Sequence, residues 1–169
     1  MAGPVGCGLC GIDSLEEAVR RLPTVGASEL RLTHAHNFAA VGEMPAQQPL
    51  HDATRAVHAA AFWTPAQGMV ASREDVGRHN ALDKLAGATI GMALSGGVVV
   101  LTSRVSIAMV QKCAVMGVPV LVAVSAPTAH AVDLAEAAGI TLIALARSDR
   151  FEVFTRPDRI LSRESTHVA

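Results

Sequence analysis

The chain has 169 residues, half of them hydrophobic, which suits one domain with a proper core. A formal net charge of −1 and a pI of about 6.6 give no electrostatic case for binding nucleic acid or an acidic membrane surface. Three cysteines without a spaced framework fit a reducing compartment, and no basic region followed by an apolar run opens the chain, so a cytoplasmic protein is expected.

The first eleven residues are rich in glycine and contain Cys7-Gly8-Leu9-Cys10. Gly6, Gly8 and Gly11 also spell Gly-x-Gly-x-x-Gly, but no convincing strand precedes them, so the strand-turn-helix context of a dinucleotide fingerprint is missing. The Cys-x-x-Cys pair leaves three readings open. Half of a zinc site needs two more ligands, for which His34 and His36 are available. A redox disulfide wants a preceding strand, which is absent. A sulfur carrier needs a nucleophilic thiolate on a mobile arm, and the flanking glycines supply mobility. The expected organisation is a mobile segment over residues 1–12 and a single α/β domain over 13–169.

Asp13, followed three residues later by Glu16, starts a helix whose stripe is Leu15, Ala18, Val19 and Leu22 and which Pro23 ends. Residues 33–37, Thr-His-Ala-His-Asn, read as a polar loop near a cleft mouth; two histidines two apart share a face only on a strand. Residues 45–49 form a linker too short to separate two cores. From about residue 50 a helix is expected through Ala53, Val57, Ala60 and Ala61, carrying Arg55 and His58, and residues 69–72 read as a short strand.

Residues 73–84 read Arg-Glu-Asp-Val-Gly-Arg-His-Asn-Ala-Leu-Asp-Lys, seven ionisable groups in twelve positions. Apolar Leu82, Leu85, Ala86, Ile90 and Ala93 follow at helical spacing, so the charges sit where a strand hands over to the exposed N–H groups of a helix start. A helix begun by Arg78 puts His79 and Asp83 on one face, where Asp83 can orient the imidazole, and likewise pairs Asn80 with Lys84. A capped helix start with solvated charges accounts for the same pattern.

The remainder alternates: strand 98–101, helix 105–116 with Cys113 in its core, strand 118–124, helix 127–138, strand 140–146 and a last extended stretch at 151–155. The uncharged runs 85–103 and 113–129 are broken by Ser95-Gly96-Gly97 and by Pro119 and Pro127, so they read as buried units and not membrane spans. Continuous apolar strands joined by helices predict an α/β fold, a mostly parallel sheet with helices on both faces and ligands beyond the carboxyl ends of the strands. Those ends hold Thr102, Ser103 and Arg104, then Ser125 and Thr128, then Arg147, Ser148, Asp149 and Arg150. Hydroxyls and forked arginine donors suit phosphate; ordinary helix capping explains Ser125 and Thr128 equally well.

Three stretches, taken together, resemble one family. Residues 73–85 closely resemble the signature of the FdhD family, the sulfurtransferases that help mature formate dehydrogenase. Met109-Val110-Gln111-Lys112 leading into residues 117–127, and Cys7-Gly8-Leu9-Cys10-Gly11, agree with it in the right order. The resemblance runs from the cysteine motif to about Arg159 and implies a cytidine-deaminase-like three-layer architecture. It implies Cys7 as the persulfide-bearing residue with Cys10 beside it. The acceptor it implies is the molybdenum cofactor in its bis(molybdopterin guanine dinucleotide) form, with no metal held by the protein itself. The family's cofactor-contacting segment matches Leu145, Ala146, Arg147, Ser148, Asp149 and Arg150, and Arg104, Ser125, Arg78 and His79 are expected beside it. A cysteine desulfurase, formate dehydrogenase and a second copy in a homodimer are the implied partners.

Three departures bear on this resemblance. His58-Ala59-Ala60 lacks the glutamate of a deaminase His-x-Glu and no Pro-Cys-x-x-Cys follows, so deamination has neither its acid/base nor its ligands. Residues 53–60 are poorer in glycine than in related members, and Ser103 stands where the family pattern has glycine, while Arg104 and Ser106 match. Family members carry a further region before the cysteine motif, so a fragment or a shortened member is expected. A non-catalytic chaperone that holds the cofactor or another nucleotide without moving sulfur is the alternative function.

Overall fold

The structure, a computed structural model, describes residues 23–26 and 28–161; the cysteine motif and the helix expected at 13–22 lie outside the described residues. The chain order is α1 (His34–Gly42), α2 (Pro49–Thr54), β1 (His58–Thr64), β2 (Gly68–Asp75), α3 (Arg78–Ala88), β3 (Val98–Leu101), α4 (Ile107–Met116), β4 (Val120–Ala123), α5 (Ala129–Ala137), β5 (Thr141–Ala144) and β6 (Glu152–Val153). The strands form one sheet in the order β2-β1-β3-β4-β5-β6. Among the described residues no helix is long and apolar enough to cross a membrane.

Period-two alternation distributes the strand side chains between two apolar layers. Ala60, Phe62, Val99, Leu101, Leu121, Ala123, Leu142 and Ala144 pack on one face with Leu82 and Leu85 of α3, Met109 and Cys113 of α4, and Ala131 and Ala135 of α5. Ala59, Ala61, Trp63, Val98, Val100, Val120, Val122 and Ile143 pack on the other with Leu32, with Ala40 of α1 and with Met44. The result is the expected three-layer α/β sandwich. Its sheet is mixed: β3-β4-β5 pair in parallel, whereas β1 is antiparallel to both β2 and β3, and β6 to β5.

Two segments differ from the sequence reading, for identifiable reasons. The helix expected from residue 50 through Ala61 ends at Thr54, where Arg55 caps it in the left-handed conformation (φ 54°) and donates its N–H to His51 O at 2.7 Å. His58, Ala60 and Ala61 instead belong to strand β1. Alanine favours helices by intrinsic propensity, but a run buried on both faces between two partner strands gains more from pairing. Residues 33–37, read as a loop, begin α1. Thr33 Oγ1 accepts from His36 N at 3.2 Å while Thr33 N donates to His36 Nδ1 at 3.3 Å, a capping box with histidine in the usual glutamate place.

Candidate functional site

The carboxyl ends of β2, β3, β4 and β5, together with the start of antiparallel β1, meet at one edge of the sheet. His58 opposes Asp75 across β1 and β2, and Ala59 N donates to Thr102 Oγ1 at 2.8 Å, which holds the Thr102-Ser103-Arg104 turn against the start of β1. Val124 N donates to Leu101 O and Leu145 N to Ser125 O, carrying the same edge across β4 to β5. The predicted site residues that fall within the described part of the chain lie here, but the structure divides them between the two faces.

On the α3–α4 face, alternation places His58 with Ala60, and Ser103 is buried in the turn that follows Leu101. Gly77 is the N-cap of α3, and the charged stretch is ordered by Asp75. Its carboxylate accepts from Gly77 N at 2.8 Å and Asn80 Nδ2 at 3.2 Å and pairs with Lys84 Nζ at 2.5 Å. The Lys84 hydrogen bond, then the Gly77 N–H, hold the Asp75 pKa down at about 2. Asn80 and Lys84 thus act together, as their spacing predicts. Asp83 pairs with Lys112 of α4 and bonds no imidazole, so the expected His79–Asp83 orientation is replaced by a helix–helix tie.

His79 and His58 both have pKa values below the ordinary imidazole value, first because burial disfavours the charged ring and then because Arg78 stands beside each. Arg78 Nε and Ser106 Oγ are buried without a hydrogen-bond partner among the described residues. Ser106 is the N-cap of α4, yet its side chain makes no cap bond.

On the α1 face lies the loop after β5. Ala146 is buried in the second core layer, and Leu145, Arg147, Arg150, Phe151 and Glu152 line a pocket of about 200 Å³. Leu145 sits at φ 52°, a left-handed conformation that costs a non-glycine residue about 1–2 kcal/mol and re-aims the chain out of the strand. Arg147 N then donates to Arg150 O at 2.8 Å, closing a turn that leaves Arg147, Ser148, Asp149 and Arg150 exposed. The Arg147 guanidinium donates to Val124 O and Ala146 O, tying the ends of β4 and β5. Phe151 has His34 edge-on at 4.9 Å and Phe38 at 5.5 Å between ring centroids, an aromatic wall beside the arginines. Sequence reasoning assigned Phe151 to a strand and His34 to a loop; the one available signal was a phenylalanine directly after the arginine-rich loop.

Arg104 and Ser125 stand between these groups on the same edge, Arg104 exposed and Ser125 half-buried. Cys7 and Cys10 lie outside the described residues. Cys113 is fully buried in α4 and burial pushes its thiol up to about 12, so it is a core residue, as its helical context predicts. Among the described residues no three His, Cys, Asp or Glu side chains are grouped to hold a metal ion.

Fold and site together define a mixed-sheet α/β protein whose basic, hydroxyl and imidazole groups gather at the carboxyl edge of its strands. The chain belongs to the FdhD/NarQ family, whose model matches residues 1–161. It is 55% identical over 163 residues to "Sulfur carrier protein FdhD" of Agrobacterium fabrum, covering 95% of this chain and 60% of the relative, and 52% identical to the protein so named in Brucella abortus, covering 95% and 61%. The chain thus spans about three fifths of the length of these curated relatives. A crystal structure from Desulfotalea psychrophila, described as a formate dehydrogenase accessory protein, superposes with a TM-score of 0.74 at 35% identity. That superposition covers 79% of this chain and 58% of the other.

Proposed function

We propose that this chain carries sulfur, as a persulfide on Cys7, from a cysteine desulfurase to a molybdenum cofactor of the bis(molybdopterin guanine dinucleotide) type, destined for formate dehydrogenase. The observation that carries the reading is the family match, which includes the Cys7-Gly8-Leu9-Cys10 motif and extends over almost the whole chain to relatives named as sulfur carriers. In the loading step the Cys7 thiolate attacks the outer sulfur of the donor persulfide. A new S–S bond forms at Cys7, the donor's S–S bond breaks, and the donor cysteine leaves as thiolate, with no net oxidation.

The acceptor is held on the α1 face. There the exposed Arg147 and Arg150 offer charge-assisted donors to phosphate oxygens, and Phe151 offers a ring for a flat base. Arg104 and Ser125 extend the donor set along the edge. Cys10 supports Cys7, the protein acts as a homodimer, and it works in the cytoplasm.

Maturation of formate dehydrogenase in cells lacking their own carrier tests the proposal. Cys7→Ser abolishes restored activity on the sulfurtransferase reading, whereas a chaperone that only holds the cofactor still supports maturation.

A further inference from the structure

We infer that the paired N-termini of α3 and α4, with Arg78 and Ser106, form a binding site for a phosphate-type oxyanion walled by the His58 and His79 rings. The two helices run side by side from the same edge. Asp83, the sixth residue of α3, pairs with Lys112, the sixth of α4, so their first turns lie level with one another. Each first turn presents backbone N–H groups that have no intrahelical acceptor, at the positive end of the helix dipole.

The side chains supply what an N-terminus alone lacks. Ser106 is only 4% exposed and its hydroxyl has no partner among the described residues, although an N-cap serine ordinarily bonds its own helix. Arg78 as a whole is half-buried, but its Nε is buried and unpartnered among the described residues. A buried donor without a partner costs about 1–3 kcal/mol, which a ligand at this edge would offset; the other such atoms among the described residues belong to Asn37 on α1 and to Arg159 beside the start of β5.

The charge balance selects an anion. Asp75 is engaged by Lys84, Asn80 and Gly77, Asp83 by Lys112, and Glu74 by the Leu50 and His51 N–H groups. Arg78 has no carboxylate partner among the described residues. A guanidinium N–H, a hydroxyl and amide N–H groups are hard donors suited to oxygen. His58 faces Arg78 and His51, and His79 faces Arg78, Lys112 and Asp83; held neutral by burial, each ring keeps one N–H to give. The site lies across the sheet from the arginine loop, so it is a separate subsite. It rests on the sulfur-carrier reading only for the source of the phosphate, either the acceptor's own phosphate groups or free phosphate.

The test is titration of the full 169-residue chain with inorganic phosphate in chloride buffer, by calorimetry and by the ring-proton signals of His58 and His79. Saturable binding that raises the titration midpoints of both rings is expected, since an anion that favours imidazolium must itself bind imidazolium better. Arg78→Lys, which keeps the charge but removes the Nε donor, weakens binding about tenfold, and Ser106→Ala about fivefold. Ser106→Ala removes no helix-capping bond, so folding survives it. Arg31→Ala, at an exposed arginine that neither face uses, leaves phosphate binding within about twofold.

Absence of saturable binding, binding that survives both site variants, or binding that leaves both ring signals unmoved overturns the proposal. Repeating the titration with guanosine diphosphate separates the sources. Sensitivity of that ligand to Arg78→Lys assigns the phosphate to the nucleotide-bearing acceptor, and insensitivity alongside phosphate binding assigns it to a separate anion. Sulfur loading of Cys7 is read independently, so either reading can fail alone.

Discussion

The two faces of the sheet meet the same edge in opposite ways. On the α3–α4 face, half-buried imidazoles stand with a buried guanidinium Nε and a buried hydroxyl, and the nearby carboxylates already have partners. On the α1 face, two exposed arginines ride on a turn whose backbone is strained at Leu145 and braced by carbonyls at the ends of β4 and β5. An enclosed group is felt by the whole fold, whereas an exposed loop is felt only by what it binds. Under the proposed function, the first face would discriminate among ligands and the second would capture a large, flat, charged one.

The largest effect comes from breaking the sheet that holds both faces. A Cβ on Gly97 would stand 2.4 Å from Phe62 Cζ and 2.7 Å from the Trp63 carbonyl oxygen, one a buried ring and the other backbone. Gly97→Ala is expected to cost about 3 kcal/mol, measured by denaturant unfolding, and to weaken ligand binding on both faces together. Leu101→Ala removes a fully buried side chain one residue before the Thr102-Ser103-Arg104 turn, on the α3–α4 face. It is expected to cost about 2–4 kcal/mol and to disturb the His58 and His79 signals while sparing the arginine loop.

Acid separates the faces further. His58 and His79 titrate below the ordinary 6.5 in the folded chain, so the unfolded chain binds more protons in the window beneath it. Their contribution is complete above 6.5 and is lost as pH falls from there toward the lowered folded values. Asp75 adds a second loss only between 3.8 and about 2. Thermal unfolding followed from pH 8 to pH 5 therefore shows Tm falling below about 6.5, and a His58→Gln, His79→Gln double variant flattens that slope. The smallest effect is Arg147→Ala: an exposed side chain on the second face, expected to change stability by no more than about 0.5 kcal/mol while weakening guanine-nucleotide binding.

What the sequence revealed follows the same division. Strands β3, β4 and β5 and helices α4 and α5 were legible because continuous apolar runs alternate with helical periodicity, and the α3 start because charge collects beyond a strand. Strand β1 was not: Ala59, Ala60 and Ala61 carry helix propensity, and only pairing with β2 and β3, a non-local fact, makes them a strand. For that reason the sheet was expected to be more parallel than it is, and His58 was placed on a helix. The strand-end arginines and hydroxyls were found one by one. Their assignment to two faces needed the register, because a one-residue difference along a strand moves a side chain through the sheet.

The central claim is the carrier step, and intact-protein mass spectrometry after incubation with a cysteine desulfurase and free cysteine tests it most directly. A gain of one sulfur atom on Cys7, reversed by reductant and absent from Cys7→Ser, is the expected result. Folded chain that stays unmodified beside an active desulfurase would contradict it.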